Sequence, residues 1–253
     1  MAASVPRLVS ALLGRSGLAV TIGVVTFVIY SPALPNQFLD WDDSANFLNN
    51  PHFRGLGWEQ LRWMFTTFLM GHWIPLTWIT FGLDYLVWGM NPIGYHLTNI
   101  LLHAANAAAF YFVAYRLLAK AMTGFGEIGL RLGAATAALS FALHPLRAES
   151  VAWVTERRDV LSGLFYFLAL GRYLSFEERG GRRGYALALA PFICALLSKS
   201  VTATLPAPAL ALLWRRRRAV GRPSLLRLHP FFLIGAAITV TPWRAGSRRS
   251  ARR

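Results

Sequence analysis

The stretch Ile74–Met90, IPLTWITFGLDYLVWGM, decides how often this 253-residue chain can cross a membrane. It is apolar and carries Trp78 and Trp88, with Trp73 just ahead, yet Pro75 stands at its start and Asp84 near its middle. A carboxylate near the centre of a span costs about 2.5 to 3.5 kcal/mol on insertion scales, so the segment can be interfacial or re-entrant instead of spanning. The charges elsewhere in the chain choose between the two. If the stretch does not cross, the apolar runs at 17–34, 93–115, 131–146, 158–174, 184–198, 200–214 and 228–243 give seven spans. With the N-terminus inside, Arg7 and Arg15, then Arg116 and Lys120, then Arg172, Arg179, Arg182 and Arg183, then Arg215 to Arg218 with Arg222 and Arg227 share the cytoplasmic side. If it did cross, the later clusters would face outward, against the positive-inside bias. The predicted fold class is therefore all-α: a polytopic transmembrane helical bundle of about seven spans, with a long outer first loop carrying interfacial helices.

Composition supports this reading. The chain is 55% hydrophobic and only 15% charged, whereas a soluble domain approaches a quarter charged residues. The formal charge of +15 gathers in short segments between apolar runs, and no basic segment is interleaved with aromatics that would stack bases. Orientation in a bilayer thus accounts for it, and nucleic acid is not an expected partner. The single Cys194 cannot form an intrachain disulfide and leaves the redox compartment open. Ser31-Pro32-Ala33 roughly meets the small-residue rule for signal cleavage. An uncleaved first span is preferred, because proline disfavours cleavage and the charge alternation needs this helix.

On this topology two segments share the outer face, residues 35–92 and residues 144–159, and Lys199 joins them from the turn between the fifth and sixth spans. The first segment holds Asp40, Asp42 and Asp43, which are either a solvated topology signal or a chemical centre. Within it, Trp58–Phe68 places Leu61, Met64, Phe65 and Phe68 at helical spacing. That pattern suits a helix in the interface plane anchored by Trp58 and Trp63, or a loop helix packed on protein. Pro206 and Pro208 are expected to kink or break the sixth span. The membrane domain is taken as residues 1–243. The low-complexity stretch 244–253, rich in arginine, would lie outside against the charge bias and reads as a truncated or non-native tail.

Five motifs carry a resemblance: Phe38–Asn50 (FLDWDDSANFLNN), Trp73–Trp88 (WIPLTWITFGLDYLVW), Asn91–His103 (NPIGYHLTNILLH), His144–Ser162 (HPLRAESVAWVTERRDVLS) and Leu197–Leu205 (LSKSVTATL). Together and in order they resemble the membrane core of the transmembrane O-mannosyltransferases with tetratricopeptide repeats, within the GT-C glycosyltransferases. The resemblance implies an integral membrane enzyme of the bacterial inner membrane or the endoplasmic reticulum. Such an enzyme passes a sugar, with inversion, from a polyprenyl-phosphate donor to a protein or glycan acceptor on the non-cytoplasmic side. The family's first outer loop supplies a base from an acidic pair, which Asp42 and Asp43 match; Asp42 is the first candidate. A hydroxyl acceptor needs such a group to take its proton as the anomeric carbon is attacked.

The departing phosphate needs cationic or hydrogen-bonding partners, for which Arg157, Arg158 and Lys199 are candidates, with Asp159 holding an arginine. Snorkelling or a structural ion pair is the plain alternative. His144 and Glu149 match the family's second-loop signature and either orient a substrate or cap the loop; Arg147 stands where relatives usually carry histidine. His96 and His103 lie two turns apart in the second span, without a third ligand at fixed spacing. Some relatives in the superfamily use a divalent metal, so the cofactor question stays open and no metal ligand is assigned. A transporter or flippase of lipid-linked sugars, or a non-catalytic membrane interaction protein, would share several of these features. The relatives' helical repeat domain has no counterpart in this sequence.

Overall fold

The computed structural model describes the backbone of residues 14–217 and 222–250 and the side chains of residues 14–211 and 225–239. Arg7, Arg215 to Arg218, Arg222 and the arginines of the C-terminal stretch therefore lie outside the described side chains. The described chain is all-helical: α1 Arg15–Tyr30, α2 Trp58–Thr66, α3 Pro75–Trp88, α4 Pro92–Ala121, α5 Glu127–Ala142, α6 Arg147–Ala152, α7 Arg157–Arg179, α8 Arg182–Ser198, α9 Pro206–Arg217 and α10 Arg222–Ser250. Short 3-10 turns at Val154–Glu156 and Ser200–Thr204 lead into α7 and α9. The break expected at Pro206 falls there: the chain leaves the 3-10 turn and α9 begins on the proline, whose missing N–H costs nothing at a helix start. No break separates residue 243 from 244, because α10 continues to Ser250.

Helix directions follow from the contacts at each end. At one end Arg15 bonds Glu127, Arg131 reaches the same carboxylate, and Arg116 and Lys120 pair with Glu178. That end thus collects the start of α1, the end of α4, the start of α5 and the end of α7. At the other, Tyr30 donates to Ala142 O at 3.1 Å, Arg157 binds Asn99, and Thr77 donates to Ser198 O at 3.1 Å. The end of α1, the start of α4, the end of α5, the start of α7 and the end of α8 meet there, together with all of α3. Among α1, α4, α5, α7 and α8 the helix directions thus alternate, and residues 35–92, residues 144–159 and Lys199 lie at one end of the bundle.

The helices α1 (with the following turn to Ala33) and α4 are long and apolar enough to cross a membrane by length and composition. The remaining helices of the seven-span expectation do not meet that measure among the described residues. The helix α3 has 14 residues and a length of about 21 Å, short of the ~30 Å hydrocarbon core. The outer faces of α1 and α10 leave Val20, Val24, Val28, Leu226 and Leu233 more than half exposed, an apolar surface left uncovered among the described residues.

Two packing solutions build the bundle. Between α1, α4 and α5 the buried residues are small: Ala19, Ala107, Ala114, Ala134, Ala138 and Ala142 bring the backbones close around Ile22 and Tyr111. Between α7, α8 and α10, Tyr173, Phe192, Leu196, Leu228 and Phe231 interdigitate. Over the end of these helices the first outer segment forms its own aromatic core of Phe47, Phe53, Met64, Trp78, Phe81 and Tyr95. Each such side chain contributes about 1.5–3 kcal/mol relative to exposure, enough to hold a loop that has little regular structure. Close approach helps: a Cβ on Gly82 of α3 would lie 2.7 Å from Gly55 O, so only glycine lets the loop backbone sit on α3. The helix α2 packs on protein through buried Met64 with Leu61 and Trp63, while Trp58 and Phe65 remain exposed.

Candidate active site

The two outer segments are joined at Asp43. Its side chain is 1% exposed, and Oδ1 accepts from Trp153 Nε1 at 3.0 Å, Thr155 N at 3.2 Å and Thr155 Oγ1 at 2.5 Å. The other oxygen accepts from Leu39 N at 2.9 Å, closing the turn that carries the acidic run. Asn46, one helical turn later, adds a bond from Nδ2 to Thr155 Oγ1 at 3.1 Å. A buried carboxylate needs this many donors to offset its lost hydration. Asp43 is therefore the clamp between the loops. Asp40 accepts from Ser44 Oγ at 2.7 Å on the exposed side of the same turn. Asp42 is half-buried, and its carboxylate makes no hydrogen bond among the described residues.

Two hollows flank the clamp. On the Trp153 side lies a cleft of about 690 Å³, walled by Asn36–Leu39, Trp41, Ala148, Glu149 and Trp153. Trp41 is 76% exposed, with its ring centroid 6.0 Å from that of Trp153, and Glu149 is exposed on the facing wall. On the Thr155 side is a narrow crevice bounded by Asn46, Leu69, Met70, His72, Trp78, Thr155 and Arg158.

Behind the crevice lies an ion-pair chain. Arg158 donates to Glu156 Oε1, Lys199 Nζ lies 3.3 Å from Glu156 Oε2 and pairs with Asp159, and Asp159 accepts from Ser150 Oγ at 3.2 Å. Burial pushes the Glu156 carboxyl up, but Arg158 and Lys199 outweigh it and hold the group below the ordinary carboxylate range. Arg158, which lines the crevice, and Lys199 behind it are each already balanced by an acid. The residue expected to hold an arginine, Asp159, holds Lys199 instead.

Arg157 is corrected. It is fully buried, donating from Nε to Asn99 Oδ1 at 2.8 Å and from its terminal nitrogens to Tyr95 O at 2.8 Å and to Asp84. Its guanidinium carbon lies 4.4 Å from the Phe81 ring centroid. With its donors spent and no solvent access, it cannot meet a phosphate; it ties α3 to α4 and α7. The same pair explains Asp84, whose carboxylate also accepts from Thr98 Oγ1 at 2.8 Å. His144 accepts from Leu146 N at 3.3 Å through Nδ1 and caps the turn after α5, apart from both hollows. Arg147 lies over the Phe141 ring at 4.7 Å.

Sequence reading missed Glu156, Thr155 and His72. His72 follows a turn in which Met70 has φ +50° and Gly71 φ +78°, and its ring borders the crevice. Crowding by the loops, then the charges of Arg158 and Lys199, push its pKa below the usual value, with Glu156 and Asp42 acting oppositely. No local signal marks it; Met-Gly at two left-handed positions is not an evident turn pair.

Among the described residues no group of three or more His, Cys, Asp or Glu side chains is arranged to hold a metal ion. His103 Nε2 is 2.9 Å from Ala142 O and ties α4 to the end of α5, whereas His96 is buried in α4 with both ring nitrogens lacking a hydrogen-bond partner among the described residues.

No family model matches the chain, and no solved structure matches it significantly. Curated proteins do. Protein O-mannosyl-transferase Tmtc1 of Drosophila melanogaster is 36% identical over 131 residues, 49% of this chain and 14% of that protein. Protein O-mannosyl-transferase TMTC4 of Mus musculus is 32% identical over 176 residues, 64% of this chain and 24% of the relative. Protein O-mannosyl-transferase TMTC1 of Homo sapiens is 30% identical over 213 residues, 76% of this chain and 23% of the relative. The chain thus spans no more than about a quarter of the length of these relatives. Matched at this level by several members, it belongs to the family of TMTC protein O-mannosyl-transferases.

Proposed function

We propose that this chain is the catalytic membrane portion of a glycosyltransferase of GT-C type that moves mannose from a polyprenyl-phosphate donor to a protein hydroxyl. In this reading the bundle crosses the bilayer seven times, and the loop end faces the non-cytoplasmic side. The observation that carries it is the Asp43 clamp, which fixes the turn carrying Asp42, a carboxylate without a hydrogen bond among the described residues, at the junction between two hollows of different character. The relatives' names supply the reaction, since each is called a protein O-mannosyl-transferase.

The chemistry follows from the placement. The larger cleft, with exposed Trp41 and Glu149, suits an acceptor chain: the indole offers an apolar platform and the carboxylate a hydrogen-bond acceptor. The crevice beside Arg158 and Lys199 suits the donor phosphate. Asp42 takes the acceptor proton as the hydroxyl oxygen bonds to the anomeric carbon, and the bond from that carbon to the phosphate oxygen breaks on the opposite face, inverting the sugar. The leaving phosphate gains a negative charge, which Arg158 and Lys199 stabilise once they turn from Glu156 and Asp159.

The test is transfer from radiolabelled polyprenyl-phosphate mannose in membranes containing the wild type or Asp42→Asn. We expect the variant to lose at least a hundredfold in transfer while binding the donor as before. Equal transfer by both proteins would remove Asp42 from the reaction.

A further inference from the structure

The four charges behind the crevice cancel: Arg158 and Lys199 are matched by Glu156 and Asp159. An anion approaching this cluster meets little net charge, so its affinity must come largely from N–H groups that are not already committed. Two are present. Arg158 Nε is buried and without a partner. The His72 ring makes no hydrogen bond among the described residues and stands at the rim of the same crevice.

The backbone holds His72 there at a cost. Met70 and Gly71 both occupy left-handed conformations, closing a two-residue turn in which His72 N donates to Leu69 O at 2.9 Å. Glycine tolerates this, but methionine does so at an expense that persists only where the surroundings enforce it. They do: Trp73 Nε1 donates to Phe65 O at 2.8 Å on one side, and buried Ile74 and Trp78 anchor the other. A strained turn clamped at both flanks, with an unspent imidazole at its exit beside an unspent guanidinium nitrogen, is an arrangement with a ligand to meet.

We propose that His72 donates a hydrogen bond to a phosphate ester seated at the mouth of the crevice, where Arg158 Nε, enclosed in the wall, joins it once that side chain turns outward. The crevice is too narrow to swallow the group, so the phosphate rests at the rim, where His72 and Met70 reach solvent. Desolvation and the charges of Arg158 and Lys199 lower the basicity of the free ring, and the imidazole carries an N–H to offer in either protonation state. This inference rests on the proposed reading of the crevice as the donor-phosphate site and adds a residue to it.

The experiment measures binding of farnesyl phosphate, farnesol and inorganic phosphate to the full chain in detergent, followed by tryptophan fluorescence. The variants are His72→Phe, which keeps a ring but no N–H, and His72→Gln, which keeps a donor. In the wild type farnesyl phosphate should bind at least tenfold more tightly than farnesol; His72→Phe should lose about tenfold for the phosphate ester only, and His72→Gln should recover most of it. Inorganic phosphate binding with the same dependence on His72 would support recognition of the phosphate group itself, whereas binding indifferent to His72 would overturn it. Equal affinity of His72→Phe and wild type for farnesyl phosphate would refute the role of His72 and leave the donor site standing. A wild type that prefers farnesyl phosphate no more than farnesol would overturn the donor site as well.

Discussion

Replacing Arg157 by methionine separates a structural role from a ligand role. The side chain is fully buried and supplies the charge opposite Asp84, a bond to Asn99 Oδ1, a bond to Tyr95 O and a stacking contact with Phe81. Methionine fills much of the stem but leaves the Asp84 carboxylate, itself 7% exposed, without its counter-charge. Breaking a buried pair from one side costs about 3–5 kcal/mol, most of it from the stranded charge. Adding Asp84→Asn to the methionine variant removes that charge, while Thr98 can still donate to the remaining oxygen. At least ~2 kcal/mol should return, a coupling readable in a double-mutant cycle. Equilibrium unfolding in mixed micelles measures all four proteins. A single variant within ~1 kcal/mol of wild type, or a double variant no more stable than the single, would refute the argument.

Two further outcomes follow from the loop end of the bundle. Asp43→Asn exchanges an acceptor of four donated hydrogen bonds for a group that presents its own N–H to them, and should cost about 2–3 kcal/mol with an altered Trp153 emission; a melting temperature equal to wild type would contradict the clamp. Glu156 has a folded pKa held below the ordinary value near 4.5, so its contribution to stability is complete above that pH and is lost as the pH falls through the folded value. The stability difference between wild type and Glu156→Gln should therefore be flat above pH 4.5 and shrink below it, and a difference independent of pH would count against the network.

What sequence reading could reach depended on whether the signal was local. Apolar runs bounded by arginines gave the order and direction of the helices, because burial and charge asymmetry act over a single segment. Pro75 and Asp84 left the 74–90 stretch ambiguous and only the arginine distribution spoke against a crossing; the structure gives it a helix of 14 residues tied to the starts of α4 and α7. Hydropathy alone could not fix the number of crossings, since only α1 and α4 are long and apolar enough among the described helices. Pairings across the chain were beyond it. Asp84 and Arg157 are 73 positions apart in sequence, and nothing near either names the other. Asp42 and Asp43 are neighbours of identical chemistry, yet the turn buries one and leaves the other open, a difference set by Trp153 and Thr155 arriving from the second loop. His72 had no visible companion, because its crevice is built from Asn46, Thr155 and Arg158.

The claim on which all of this depends is that the two loops meet around the acidic run. Asn46 Nδ2 lies 3.1 Å from Thr155 Oγ1, so cysteines at these two positions would face each other across the junction of the loops. With Cys194→Ser to remove the native thiol, mild oxidation of the Asn46→Cys, Thr155→Cys protein in its membranes should close a link that holds the loop fragments together after proteolysis. Two thiols that stay free and open to alkylation under the same oxidation would contradict the account.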